Sequence, residues 1–161
     1  VEQKAAGKPL SPLPFRPQGM LAKPAPCFVT IILDGRRRGC TGSFEPQTAT
    51  LAQEIVRNAV RAWTLDPRAP RLRREDLRRV EFSVTIPGAR RSVPDPSPYP
   101  PANYGLVVSG GGGSGVLLPG EAKTSRRQAR EARRQAGIPQ GASVTFQVFR
   151  AVTFREREQK R

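Results

Sequence analysis

An α+β fold built around antiparallel strands is what this 161-residue chain predicts, and three observations carry the prediction. Val80-Glu81-Phe82-Ser83-Val84-Thr85-Ile86 alternates strictly between apolar and polar residues, the period of a strand with one wet face. Phe28-Val29-Thr30-Ile31-Ile32-Leu33 is a short, β-branched apolar run ending at Asp34-Gly35. That dipeptide suits a type I′ turn, whose two central residues both need positive φ. Between these stretches, Thr50-Leu51-Ala52-Gln53 is a capping-box pattern opening a helical period that runs to about Thr64. Short turns join antiparallel neighbours, so the expected architecture is a mainly antiparallel β-sheet flanked by a few helices.

In chain order, residues 1–26 carry Pro9, Pro12, Pro14, Pro17, Pro24 and Pro26. Such density forbids a regular helix and predicts a Pro-rich extended arm. Strands follow near 27–33 and 36–41, then the helix near 50–64 with Leu51, Ile55, Ala59, Ala62 and Trp63 as its apolar stripe. A helical turn around Glu75-Asp76-Leu77 precedes the strand near 80–86. Residues 87–103 hold Pro87, Pro94, Pro96, Pro98, Pro100 and Pro101 and read as a long loop. Strands near 104–109 and 115–118 flank a glycine-rich stretch, Gly110 to Gly115. It lacks the Lys-Ser/Thr of a phosphate-cradling loop and no helix starts directly after it, so a loose hairpin turn is expected.

A second helix opens at Ser125 and stops at Gly137, with Pro139 beyond. At 100° per residue it sets Arg126, Arg127, Arg130, Arg133 and Arg134 opposite Ala129, Ala132 and Ala136. A solvated face over an alanine seam and a phosphate-binding stripe both fit that pattern. One long strand near 143–154 closes the sheet, and residues 155–161 form a charged tail.

The stretch with chemical potential is Arg36-Arg37-Arg38-Gly39-Cys40-Thr41-Gly42. A period of two puts Arg36, Arg38 and Cys40 on one face of the hairpin. Guanidinium groups beside a thiol favour its thiolate, and flanking glycines leave it open to approach. A small residue packed under a turn is the competing fate of a lone cysteine.

The order Phe28-Val29-Thr30-Ile31, Asp34-Gly35, Arg38-Gly39-Cys40, Gly42 resembles the signature of the AMMECR-type domain family, roughly Phe-Val-Thr-Leu, Asp-Gly, Leu-Arg-Gly-Cys-Ile-Gly. Asn58-Ala59, Asp66-Pro67-Arg68 and Leu117-Leu118-Pro119 extend the likeness over about residues 27–154. The chain departs from the pattern at Arg37 (usually Leu), Thr41 (usually Ile), Ala69 (usually Phe) and Tyr104 (commonly His). What the resemblance implies is an AMMECR-like α+β domain over 27–154, between the 1–26 arm and the 155–161 tail. It would gather Arg38, Glu45, Asn58, Asp66 and Arg68 near Cys40, with Gly39 and Gly42 giving access. That set is either a ligand pocket or a buried network tying hairpin to helix. Relatives are often encoded beside, or fused to, Memo-like and radical-SAM proteins, which implies a binding or accessory role. No activity is implied for the family as a whole.

Composition narrows the classes further. The chain has no histidine, which excludes a Ser-His-Asp triad, a Cys-His pair and any His-based zinc site. Cys27 and Cys40 are too few for a disulfide framework and lack metal-ligand spacing, so no metal is expected, and the sequence leaves any cofactor open. The net charge of +15 fits an anionic ligand or nucleic acid held through arginines. GC-rich codon usage, given the abundance of Arg, Ala, Gly and Pro, is the plainer and preferred account of the same charge. No apolar run approaches the ~18 residues of a membrane span, and no secretory pattern opens the sequence. A cytoplasmic protein without membrane association is expected. Three function classes stand: a binding or accessory module, a thiol-dependent enzyme using Cys40, and a nucleic-acid-binding protein.

Overall fold

A computed structural model describes residues 12–64 and 73–156. The chain divides into two compact units, one of residues up to Ile86 with 153 onward, the other Pro87–Val152. The fold is α+β, with two antiparallel four-stranded sheets in place of the single sheet expected.

In the first sheet, β1 (Phe28–Leu33), β2 (Arg36–Gly42), β3 (Val80–Pro87) and β8 (Ala151–Arg155) order as β2-β1-β3-β8. Asp34 and Gly35 take φ of 50° and 71°, the positive pair their turn requires. Arg79 forms an ion pair with Asp34, tying this turn to the start of β3. Helix α1 (Leu51–Thr64) begins where the Thr50 hydroxyl accepts the Gln53 amide at 3.2 Å, which satisfies one orphan N–H of the first turn. The helix covers the sheet face bearing Cys27, Val29 and Ile31, and packs Leu51, Ala59, Ala62 and Trp63 there. The opposite face holds small polar residues. Thr30 pairs across to Cys40 and to Ser83, and Thr85 shares a 3.0 Å hydroxyl contact with Thr153.

In the second unit, β4 (Arg91–Val93), β5 (Gly105–Gly110), β6 (Gly113–Leu117) and β7 (Thr145–Phe149) order as β4-β7-β5-β6. Helix α2 (Ser125–Gln135), capped by the Thr124 hydroxyl, seats Ala132 against Leu106, Val108, Leu117 and Val148. The glycine run is a packing device as well as a turn. Gly111 and Gly112 take positive φ, while a Cβ on Gly115 would stand 1.8 Å from the Ala132 carbonyl oxygen. Side chains there would lift α2 off β6, so the run forms the hairpin turn expected from sequence and, at Gly115, a close helix–strand contact as well.

Two further expectations are corrected. The closing strand near 143–154 is two strands, β7 and β8, divided at Arg150 and paired in different sheets. The 87–103 loop contains β4, three residues that pair with β7. No helix among the described residues is long and apolar enough to cross a membrane.

Candidate functional site

The hairpin puts Cys40 where the sequence led, but with different neighbours. Thr30 faces Cys40, Ile31 faces Gly39, Ile32 faces Arg37 and Leu33 faces Arg36, so Arg38 is the extra residue of a bulge. One added residue inverts the alternation beyond it. Arg37 therefore shares the face of Cys40, and Arg36 points to the other face with Leu33. The expected trio of Arg36, Arg38 and Cys40 on one face does not form. Arg38 is half-buried, and its Nε is enclosed with no hydrogen-bond partner among the described residues.

Cys40 is a half-buried, reduced cysteine whose sulfur accepts a hydrogen bond from the Thr30 hydroxyl at 3.4 Å. Gly42 lies tight against β1, since a Cβ there would sit 2.5 Å from the Cys27 oxygen and the Phe28 Cα. That side of Gly42 is taken up by backbone approach within the hairpin. Beyond it, Phe44 stacks edge-on against Phe28 at 5.2 Å. Glu45 is exposed, and its carbonyl accepts from the Ser43 hydroxyl at 2.6 Å and the Gln47 amide side chain at 3.2 Å.

Asn58 lies on the far side of the sheet from Cys40. Its Nδ2 donates to the Cys27 carbonyl at 3.1 Å, to the Cys27 sulfur at 3.6 Å and to Glu54 Oε1 at 3.2 Å. The polar set named from sequence is thus split. Arg38, Gly39, Cys40 and Gly42 run together along β2, Glu45 follows them, and Asn58 serves Cys27. Asp66 and Arg68 lie outside the described residues.

Glu54 is the residue that sequence reasoning passed over. It is fully buried, and besides Asn58 it accepts the Gln47 amide at 3.0 Å and the Thr48 hydroxyl at 2.9 Å, with Arg57 at 3.4 Å. A buried carboxylate with these donors pins the 45–50 loop to the helix. The signal was available: one turn from Asn58 and three residues after Leu51, Glu54 borders the apolar stripe. Burial pushes the Cys27 thiol up to about 11, against the opposing hydrogen bond from Asn58. Cys27 is fully buried and Cys40 half-buried. Among the described residues, no group of three His, Cys, Asp or Glu could hold a metal.

A family model described as AMMECR1 matches residues 1–156. A protein of Thermotoga maritima is 36% identical over 137 residues, covering 83% of this chain and 79% of that relative. One of Clostridium acetobutylicum is 32% identical over 135 residues, 80% of this chain but only 28% of the longer relative. Among solved structures, an uncharacterized protein of Pyrococcus horikoshii matches with a TM-score of 0.78 at 23% identity, over 97% of this chain and 85% of that one. That likeness is one of fold.

Proposed function

The chain belongs to the AMMECR1 family, and from that premise we propose that it is a cytoplasmic binding or accessory module acting with a Memo-like or radical-SAM protein. The observation that carries this reading is the position of β2 at the edge of its sheet, with the Arg38 bulge and Cys40 on that edge strand. An edge strand offers backbone donors and acceptors to an added strand, and a bulge re-aims the side chains that select it. In this reading Arg38, Gly39, Cys40, Gly42 and Glu45 form the contact, with Asp66 and Arg68 assigned to it by the family pattern alone. Asn58 and Glu54 hold the helix behind it. The Clostridium acetobutylicum relative adds support, because the matched stretch is a minor part of a longer polypeptide there.

A thiol-dependent enzyme is the competing reading. Its nucleophile would be Cys40, whose hydroxyl neighbour Thr30 donates to the sulfur and is far too weak a base to take its proton. Co-purification of the tagged chain with the Memo-like or radical-SAM protein of the same genome tests the proposal. Arg38→Ala should weaken capture by about tenfold, the scale of a lost charge-assisted contact, while Cys40→Ser retains it. Capture that ignores Arg38, or no capture of either partner, would remove the reading.

A further inference from the structure

Within the Pro87–Val152 unit, two tyrosines and two arginines form a linked surface cluster. Tyr99 and Tyr104 stand edge to face, their ring centroids 5.2 Å apart at 72°. Arg91 of β4 lies 5.1 Å over the Tyr99 ring and donates to its hydroxyl at 2.9 Å. Arg150, one residue past β7, lies 5.1 Å over Tyr104 and donates to that hydroxyl at 3.1 Å. The result is a row, Arg91, Tyr99, Tyr104, Arg150. Both arginines are exposed and both tyrosines half-buried. Each guanidinium is steadied by its ring while the residue as a whole stays exposed.

The row is held in place by backbone and helix contacts. The Tyr99 amide donates to Pro96 and the Tyr104 amide to Pro100, each at 3.0 Å. Buried Gln128 of α2 donates to the Tyr104 carbonyl at 2.8 Å, and the Ser125 hydroxyl reaches the Tyr99 carbonyl at 3.4 Å. Ser125 opens α2, so exposed Arg126 and Arg127 begin one residue from that contact, and exposed Arg130 follows a turn later. The unit carries nine lysines and arginines against three carboxylates. Those carboxylates have local work: Asp95 accepts the Ser97 amide, Glu121 the Leu118 amide, and Glu131 pairs with Arg134.

We propose that this surface binds single-stranded nucleic acid, with bases against the tyrosine and guanidinium planes and phosphates on the surrounding arginines. The proposal goes beyond the accessory reading, since it concerns a different unit of the chain and a different partner. Charge alone would suit any polyanion. What favours a nucleic acid is flat π surfaces interleaved with cations, which match a ligand that alternates flat bases with phosphates. An acidic peptide offers the charge without the planes.

The test is fluorescence anisotropy of the full chain with labelled single-stranded DNA and RNA of about a dozen nucleotides, titrated against salt. Affinity should fall with log salt at a slope near −0.7 per phosphate neutralised. Arg91→Gln/Arg150→Gln should weaken binding about tenfold and make that slope shallower. Tyr104→Leu should weaken it about tenfold through lost stacking. Because Tyr104 is half-buried, Arg126→Gln/Arg127→Gln on the exposed helix face gives an independent reading in a folded protein. Arg36→Gln/Arg61→Gln, in the other unit, should leave affinity unchanged. Absence of oligonucleotide binding at low salt overturns the proposal, as does equal loss in the Arg36/Arg61 control. Binding of anionic-lipid vesicles or poly-glutamate in place of the oligonucleotide overturns it as well.

Discussion

Asn58 donates to Cys27 across 31 residues of sequence, at 3.1 Å to its carbonyl and 3.6 Å to its sulfur, and fastens α1 to the entry of β1. The same Nδ2 lies 3.2 Å from buried Glu54. Asn58→Leu keeps roughly the volume but leaves the Cys27 carbonyl without this donor and strips one from the Glu54 carboxylate. The expected loss is about 3 kcal/mol, since the cost is that of buried groups left unpaired. Urea unfolding of both proteins measures it; a loss near zero would mean that water replaces the side chain.

Cys27 should make stability fall at high pH. Its thiol is raised from 9.0 to about 11 by burial, so the folded state keeps a proton that the unfolded chain gives up. The contribution is therefore intact below the unfolded value, declines as pH rises from about 9 to about 11, and totals about 3 kcal/mol. Urea midpoints at about pH 8 and about pH 11, compared between wild type and Cys27→Ala, isolate it from tyrosine and lysine titration. An identical decline in Cys27→Ala would assign the effect to other groups.

The bulge at Arg38 gives the two cysteines a further test. Cys40 is half-buried and Cys27 fully buried, so iodoacetamide should modify Cys40 in the folded protein and Cys27 only on unfolding. The positive side chain on the Cys40 face is Arg37, paired opposite Ile32, whereas Arg36 belongs to the other face. Arg37→Ala should slow modification severalfold and Arg36→Ala should not. The reverse result would restore the unbroken alternation read from sequence.

What could be read in the chain follows the range of the interactions involved. The type I′ turn at Asp34-Gly35, the alternation of Val80–Ile86 and the capping of α1 at Thr50 are set by residues within a few positions of each other. They were legible. The Arg38 bulge was not, because an extra residue is defined only by the strand it faces. Nor was the break at Arg150, where β7 and β8 follow one another with a single residue between them yet join different sheets. At the candidate site, Cys40 and its glycines were local and visible. The partner of Asn58 was not, and neither was the meeting of Arg91 with Tyr99 and Arg150 with Tyr104, which depends on how β4, β5 and β7 line up.

Arg133 separates a structural arginine from its exposed neighbours on α2. The helical period groups it with Arg126 and Arg130, yet its guanidinium donates to the Pro139 carbonyl at 3.1 and 3.2 Å and to the Ala142 carbonyl. It thereby fastens the segment after the helix, where Gly137 and Gly141 take positive φ. Arg133→Gln should cost about 2 kcal/mol through lost charge-assisted bonds. Arg126→Gln/Arg130→Gln should leave the melting temperature nearly unchanged, or raise it slightly by easing repulsion. Thermal unfolding of the two variants makes the comparison, and equal behaviour would return Arg133 to the solvated face.

Gly115 carries the most severe prediction. In β6 it faces the backbone of α2, and a Cβ there would lie 1.8 Å from the Ala132 carbonyl oxygen and 2.8 Å from its carbon. Both atoms belong to the helix backbone, so no rotamer change relieves the clash. The helix must instead move off the strand, opening the core around Leu117, Val108 and Ala132. Overpacking against movable side chains costs about 1–3 kcal/mol, and a backbone obstacle should reach or exceed the upper end. Gly111→Ala is the control within the same run. It meets nothing within 4 Å but sits at φ +57°, so its cost should be limited to about 1–2 kcal/mol of backbone strain. Denaturant unfolding should therefore rank Gly115→Ala well below Gly111→Ala in stability. The reverse ranking would mean that the turn, and not the helix–strand contact, is what the glycine run protects.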